Sequence, residues 1–326
     1  MRQAGRYLPR YRAVRLRVSM LEAIRTPELA AEITLLPFEA LDVDAAILFS
    51  DIMTPLLGMG LAFDFVDGEG PRVFNPIRSA AAIAALRTPD AWEAVPFVAE
   101  AIRLVVRELS SREIPLIGFA GAPFTLASYA IEGSHSRNYE RTKGLLWEEP
   151  LLWQELMEKL VTMLSTYLTM QVEAGAAALQ LFDSWAGVLS PEDYATAVAP
   201  WNRRLIQRVH QVGRVPIIYF STGTGSYLEL VASLGSDVVS VDWRVDIGKA
   251  RRQIGNGRAI QGNLDPVLLQ VNWSAVEVAT ERILAAVEGT PGHIFNLGHG
   301  ILPETPVDTV RRLVDFVHER TRRGGA

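Results

Sequence analysis

Short apolar, β-branched runs alternate with helix-like stretches along this chain, and that alternation limits the fold more than any other feature. The runs fall at residues 45–50 (AAILFS), 115–120 (PLIGFA), 177–182 (AALQLF), 216–220 (PIIYF), 237–241 (DVVSV), 258–262 (RAIQG) and 293–296 (HIFN). Near-continuous apolar runs of this length suit strands buried on both faces of a parallel sheet. Helix starts separate them. Thr26-Pro27-Glu28, Thr88-Pro89-Asp90, Ser190-Pro191-Glu192 and Thr305-Pro306 each put a capping hydroxyl ahead of a proline. Residues 148–174 read as one long amphipathic helix. Residues 58–78 carry Gly, Pro and Asp punctuation among aromatics and read as an excursion or hairpin.

Strand–helix alternation predicts parallel strands joined by crossovers. The expected fold is α/β, a (β/α)8 barrel over residues 1–326 as one domain. Seven runs are one short of that barrel, and residues 1–4 are expected to form the tail of the eighth strand. No Pro-, Gly- or Ser-rich linker divides the chain. A polar residue follows most runs: Asp51, Asp183 and Ser184, Ser221, Asp242, Asn263 and His299. On such a barrel these are expected to converge at the carboxyl ends of the strands, where the chemistry sits.

Composition narrows the chemistry. There is no cysteine among 326 residues, which excludes disulfides, thiolate catalysis and Cys-ligated zinc or iron–sulfur centres. Half the chain (49%) is apolar and 21% is charged, as in ordinary globular enzymes. No apolar stretch is long enough to span a bilayer and no secretory h-region follows the first residues, so a cytoplasmic protein without a membrane partner is expected. Net charge is −5, yet residues 1–17 hold six arginines and no acid, leaving −11 on the rest. An acidic body is a poor general nucleic-acid binder. Gly5 and Pro9 break the amphipathic helix that an Arg-rich targeting leader would need.

The opening Arg2-Gln3-Ala4-Gly5-Arg6 brings two guanidiniums around a small-residue turn, each able to grip a carboxylate bidentately. Arg15 follows further along, while Arg10, Arg12 and Arg17 fit a solvated basic face better. Asp51, in Phe49-Ser50-Asp51-Ile52, is either a loop cap or an ionised acceptor for several N–H donors, whose hydrogen bonds would hold its pKa down. Gly118 and Gly121, in a strand-and-turn leading to Tyr129, suit close approach of a bulky ligand; a lone helical tyrosine such as Tyr129 is more often a core residue with a satisfied hydroxyl. His299 stands between Gly298 and Gly300. The other four histidines show no metal-ligand spacing, and Gly223-Thr224-Gly225 lacks the lysine of a phosphate loop. Arginines, carboxylates, a tyrosine and a histidine, with neither thiol nor metal spacing, point to a polycarboxylate substrate and cofactor-free chemistry.

In this order, MRQAGRYLPRYR, FSDIMTPLLGMG, GFAGAPFTLASYAIEG, LQLFDSWAG, QGNLDP and FNLGHGILPETP resemble the uroporphyrinogen decarboxylase family over the whole chain. The resemblance implies a (β/α)8 barrel, a homodimer with facing clefts, no cofactor, and removal of the four acetate carboxyls of uroporphyrinogen III to give coproporphyrinogen III in haem biosynthesis. It implies that Arg2, Arg6 and Arg15 bind substrate carboxylates and that Asp51 receives the pyrrole N–H groups. It also implies roles for Tyr129, Phe182, Ser184 and His299 in binding. Asp51, Arg2 and Tyr129 are the expected catalytic set. The proton donor is either a water or Arg2, and an arginine acid works against a pKa above about 12. The family carries more chain ahead of the opening motif, so the first strand is expected to be truncated. Two other readings compete. Corrinoid-dependent methyltransferases on the same barrel use cysteine-ligated zinc, which a chain without cysteine cannot supply. A barrel with a truncated strand that binds the porphyrinogen without turning it over is the other.

Overall fold

In the computed structural model the described residues are 5–66 and 70–322. All seven apolar runs become strands, and the 58–78 excursion supplies two more. In chain order they are β1 (Ala46–Ile47), β2 (Phe63–Val66), β3 (Gly70–Val73), β4 (Leu116–Gly121), β5 (Ala178–Asp183), β6 (Ile217–Ser221), β7 (Val238–Ser240), β8 (Ala259–Leu264) and β9 (His293–Leu297). Seven of them form one parallel sheet in the order β1-β4-β5-β6-β7-β8-β9. β2 and β3 pair antiparallel as a separate hairpin. The Asn75 amide braces the hairpin's base by accepting from Ala62 N–H and donating to Gly60 C=O.

The sheet curls. Gln261 on β8 donates across the interior to Gln180 on β5 at 3.4 Å, three strands away in the sheet order. The His299 ring, just past β9, meets Phe220 of β6 at 6.2 Å and Trp243, just past β7, at 5.7 Å. Residues 1–4, expected as part of an eighth strand, lie outside the described residues.

Helices cover the outer face. The longest, Pro150–Ala174, buries Leu156, Leu160, Leu164 and Tyr167 against the sheet and its neighbours. It also pins β4: the Gln171 amide, fully buried, accepts from Phe119 N–H at 2.8 Å and donates to Phe119 C=O at 2.9 Å. Such a pairing completes backbone hydrogen bonds that would otherwise stay buried and unmade.

Three helix starts differ from expectation. Thr88 does not cap; Asp90 does, its carboxylate accepting from Trp92 N–H at 2.8 Å, and the helix is only Ala91–Ala94. Aspartate is the stronger cap in that tripeptide, and Pro89 then precedes the cap. The last helix runs Val307–Thr321 with Pro306 in the capping position. Thr26 holds the N-cap position without a side-chain cap bond, while Ser190 caps as expected, its Oγ accepting from Asp193 N–H. Among the described residues no helix is long and apolar enough to cross a membrane.

Candidate active site at the carboxyl ends of the strands

Side chains on a strand alternate between faces, so each strand end sends neighbouring residues in opposite directions. Phe182 of β5 points inward, where its ring meets Phe119 of β4 at 5.6 Å and Phe220 of β6 at 5.8 Å. Phe220 continues the series to His299, and His299 to Trp243. An aromatic wall therefore runs around the inside of the sheet's carboxyl ends, with the exposed His299 at its rim.

Asp51 follows β1 and is partly buried. Its carboxylate accepts from Met53 N–H at 2.9 Å, turning the chain into the short helix Thr54–Gly58. Ser50 and Thr54 hydroxyls share a bond at 3.1 Å beside it. Asp51 thus serves its own turn while staying at the sheet's open end.

The arginine-bearing segment reaches the same end from two sides. Tyr11, in the helix Pro9–Arg15, packs edge-on to Phe49 at 5.9 Å, two residues before Asp51. Gly5 lies against Ile301, two residues after His299, with 3.7 Å between a built Cβ and the Ile301 Cγ2. Arg6, which follows Gly5, is exposed there. Arg15 donates to Val18 C=O and is half-buried. Arg10 pairs with Glu39, and Arg12 donates to Arg6 C=O at 2.9 Å, structural roles that match a basic face. Arg2 lies outside the described residues.

Tyr129 sits in the helix Pro123–Glu132 and meets the Trp185 ring at 5.8 Å. Trp185 directly follows Ser184, so Tyr129 and the β5 end are neighbours. Ser184 is half-buried, and its carbonyl accepts from Thr222 Oγ1 at 2.6 Å. His135 and Tyr139 close around Trp185 at 5.4 and 5.5 Å. Tyr139 takes a left-handed backbone (φ 57°), and its buried hydroxyl, like Trp185 Nε1, has no hydrogen-bond partner among the described residues. Burial, with Tyr129 and Glu132 nearby, pushes the Tyr139 hydroxyl pKa far up, so it remains a neutral donor.

Four strand-end polar residues expected at the mouth do other work. Asp183 faces outward into the helical layer and is fully buried. It accepts from Thr125 Oγ1 at 2.8 Å, Tyr219 OH at 2.5 Å and Asn202 Nδ2 at 3.3 Å. Burial raises its pKa, and these donors oppose the rise. Asp242, also buried, accepts from Gly223 N–H, Arg244 N–H and the Arg244 guanidinium at 2.6, 2.8 and 3.0 Å. Ser221 Oγ bonds Thr224 Oγ1 at 2.7 Å. Asn263 donates to Asp242 C=O and Val245 C=O at 2.8 and 2.7 Å. These three hold the β6 and β7 turns. Gly223-Thr224-Gly225 is such a turn, with Gly223 at φ +71° and packed on Gly187.

Gly118 and Gly121 also differ from expectation. A Cβ at Gly118 would collide with the Gln171 amide, and one at Gly121 would come within 2.6 Å of Leu126 Cδ2. Both glycines serve helix–strand packing, not ligand approach.

Trp185, Tyr139 and the Trp243–Arg244 pair were not singled out by sequence reasoning. The Arg244 guanidinium stacks 4.1 Å over Trp243 while held by Asp242. Their signal was position: Trp185 and Trp243 each directly follow a strand-end residue that the sequence does mark.

The chain's similarities are consistent across its length. Residues 1–320 match the family model described as uroporphyrinogen decarboxylase (URO-D). The chain is 55% identical over 323 residues to the uroporphyrinogen decarboxylase of Roseiflexus sp. (strain RS-1), covering 98% of this chain and 92% of that one. It is 51% identical over 325 residues to the protein of the same name from Streptomyces avermitilis, covering 99% and 90%. Among solved structures it resembles a methyltransferase from Methanosarcina mazei at a TM-score of 0.80 and 21% identity, covering 93% and 88%, a likeness of fold alone.

Proposed function

This chain belongs to the uroporphyrinogen decarboxylase family, and from that premise we propose how its residues carry out the reaction. The activity is that of a carboxy-lyase in porphyrin and haem biosynthesis, converting uroporphyrinogen III to coproporphyrinogen III and carbon dioxide. The observation that carries the site assignment is a convergence. Tyr11 on Phe49 and Gly5 on Ile301 bring the arginine motif to the carboxyl ends that hold Asp51 and His299.

The substrate is a polyanion with a cationic requirement at its centre. Arg6 and Arg15, with Arg2, bind its carboxylates, and Ser184 and His299 contribute polar contacts at the rim. Phe182 presents an apolar surface to the macrocycle. Asp51 receives the pyrrole N–H groups. Loss of carbon dioxide leaves an electron pair on the acetate methylene, which needs a sink. Protonation of the adjacent pyrrole α-carbon makes a cationic, iminium-like ring that accepts the pair as carbon dioxide departs. The exocyclic methylene then takes a proton to become methyl, the α-proton is released, and one proton is consumed overall. A fixed Asp51 carboxylate stabilises the cationic ring at the moment it forms. Tyr129 lies beside the β5 end to orient the reacting acetate.

The same reading takes the curled sheet as a (β/α)8 barrel spanning residues 1–326 as one domain, in a cytoplasmic homodimer. Light scattering then gives a mass near twice 35.9 kDa. The decisive test is anaerobic incubation with uroporphyrinogen III, followed by oxidation and separation of porphyrins by carboxyl number. Seven-, six-, five- and four-carboxyl products are expected. Asp51→Asn is expected to lower turnover by about 100-fold or more at an unchanged unfolding midpoint. Full activity in Asp51→Ala overturns the pyrrole-anchor role. Substrate binding without products identifies the inactive barrel.

A further inference from the structure

Among the described residues the mechanism leaves two buried carboxylates unused, Asp183 and Asp242, and two of the three side chains that donate to Asp183 lie on elements that carry the site. Thr125, which donates to it at 2.8 Å, is in the first turn of the helix Pro123–Glu132 that presents Tyr129 one turn later. Tyr219, donating at 2.5 Å, is on β6 directly before Phe220 of the aromatic wall. Asn202, at 3.3 Å, is in the outer helix Ala199–Val212. Asp183 itself stands between Phe182 and Ser184. Thr125 Oγ1 also accepts from Trp185 N–H at 3.3 Å, closing a loop between the helix start and the residue whose ring Tyr129 touches.

The hydrogens of this network run one way. Tyr219 OH lies 2.8 Å from Tyr194 OH and 2.7 Å from Asn202 Nδ2, and it passes its own proton toward Asp183. Asn202 Nδ2 is shared with Tyr194 OH at 3.2 Å, and its Oδ1 is buried without a partner. Donors from three elements therefore converge on one fully buried acceptor. A buried acceptor with several charge-assisted donors fixes geometry more tightly than separate pairs do.

We infer that Asp183 is a positioning residue of the decarboxylase, holding the Tyr129 helix at a set distance from the Phe182–Ser184 strand end. The inference rests on the site reading above. It explains why a carboxylate is kept where burial disfavours one: an apolar residue would fill the space but remove the acceptor shared by Thr125, Tyr219 and Asn202, and with it the link between their elements.

Thr125 offers the cleaner test, because Thr125→Val keeps shape and burial and removes only the hydroxyl, while Thr125→Ser keeps it. Thr125→Val and Asp183→Asn are expected to lower kcat by about 10–100-fold with KM little changed, the effect of a small displacement near the reacting atoms. Partly decarboxylated porphyrinogens then accumulate, and Thr125→Ser restores the wild-type rate. A Thr125→Val protein that melts earlier but keeps wild-type kcat and product distribution overturns the inference, since the link would be structural only. A second readout needs no turnover. Crystal structures of the two Thr125 variants report the Tyr129–Trp185 ring separation, 5.8 Å here. A shifted Tyr129 ring in Thr125→Val supports the inference and an unmoved ring overturns it. Wild-type chain that fails to decarboxylate uroporphyrinogen overturns the functional reading, and the ring position still decides this one.

Discussion

Gly298 donates its N–H to Leu264 C=O at 2.7 Å, and the site's rim depends on its having no side chain. A Cβ there would come within 2.7 Å of Trp243 Cα and 2.8 Å of Trp243 Cβ. Backbone cannot yield as a flexible side-chain tip can, so either β9's end or the Trp243 turn must move. Both carry rim residues, His299 on one side and Arg244 over Trp243 on the other. Gly298→Ala is therefore expected to cost about 1–3 kcal/mol of stability by overpacking. It should also raise KM for uroporphyrinogen in the fraction that stays folded. Denaturant melts and steady-state kinetics on one preparation check both. Wild-type KM with lowered stability would detach His299 from binding. Glycines around His299 marked the place in the sequence, but the reason differs: at least Gly298 is small for Trp243. Asp183 shows the opposite limit of sequence reading. Its strand is buried on both faces, Leu179 and Leu181 outward, Gln180 and Phe182 inward, so no polar-apolar alternation reveals which way the last residue points. Only pairing with Thr125 and Tyr219, far away in sequence, settles it.

Elements were legible where their signal is local. Seven apolar runs became the seven parallel strands because a strand buried on both faces needs a run and nothing else. β1 came out shortest, two residues within the six-residue run, because the chain leaves the sheet early to turn at Asp51. What the sequence hid was attachment of one element to another. Gln171, on the longest helix, reads as an ordinary polar helix residue, yet it completes both backbone groups of Phe119 on β4. Gln171→Leu buries that N–H and C=O unmet and is expected to destabilise by about 2–4 kcal/mol. Chemical denaturation measures it, and a loss under 1 kcal/mol would mean that β4 finds other partners. His293 ties β9 to β8 through a ring nitrogen 3.0 Å from Gly262 C=O. Burial lowers its pKa below the ordinary histidine value, and Arg251 adds to this against the opposing carbonyl. The folded state thus binds the proton more weakly than the unfolded chain. This histidine's contribution is intact above the unfolded pKa of about 6.5 and is lost as pH falls toward the lower folded value. His293→Gln is expected to flatten the stability difference between pH 7.5 and 5. An equal slope in wild type and variant would place the acid sensitivity elsewhere.

Over the whole molecule, charge poses a contradiction that the fold resolves. The protein carries −5 and its substrate eight carboxylates, so at long range they repel. The radius of gyration of a 326-residue domain is about 20 Å. Over that distance, 0.1 M salt with a Debye length of about 10 Å already screens most of the repulsion. What remains is contact-range attraction, and Arg6 and Arg15 supply it near the open end of the sheet. Salt therefore acts in two regimes. Below about 0.05 M, added salt relieves repulsion and speeds encounter; above 0.1 M it chiefly weakens Arg–carboxylate contacts at an exposed rim. Between 0.1 and 0.5 M salt, KM for uroporphyrinogen is expected to rise several-fold while kcat stays nearly constant, because the buried aromatic wall and Asp51 are less screened. Arg6→Gln should raise KM at low salt and make it less salt-dependent. A KM that ignores salt in wild type, or the same salt slope in Arg6→Gln, would place the substrate's carboxylates away from this arginine turn and send the search for them to the Arg244 side of the rim.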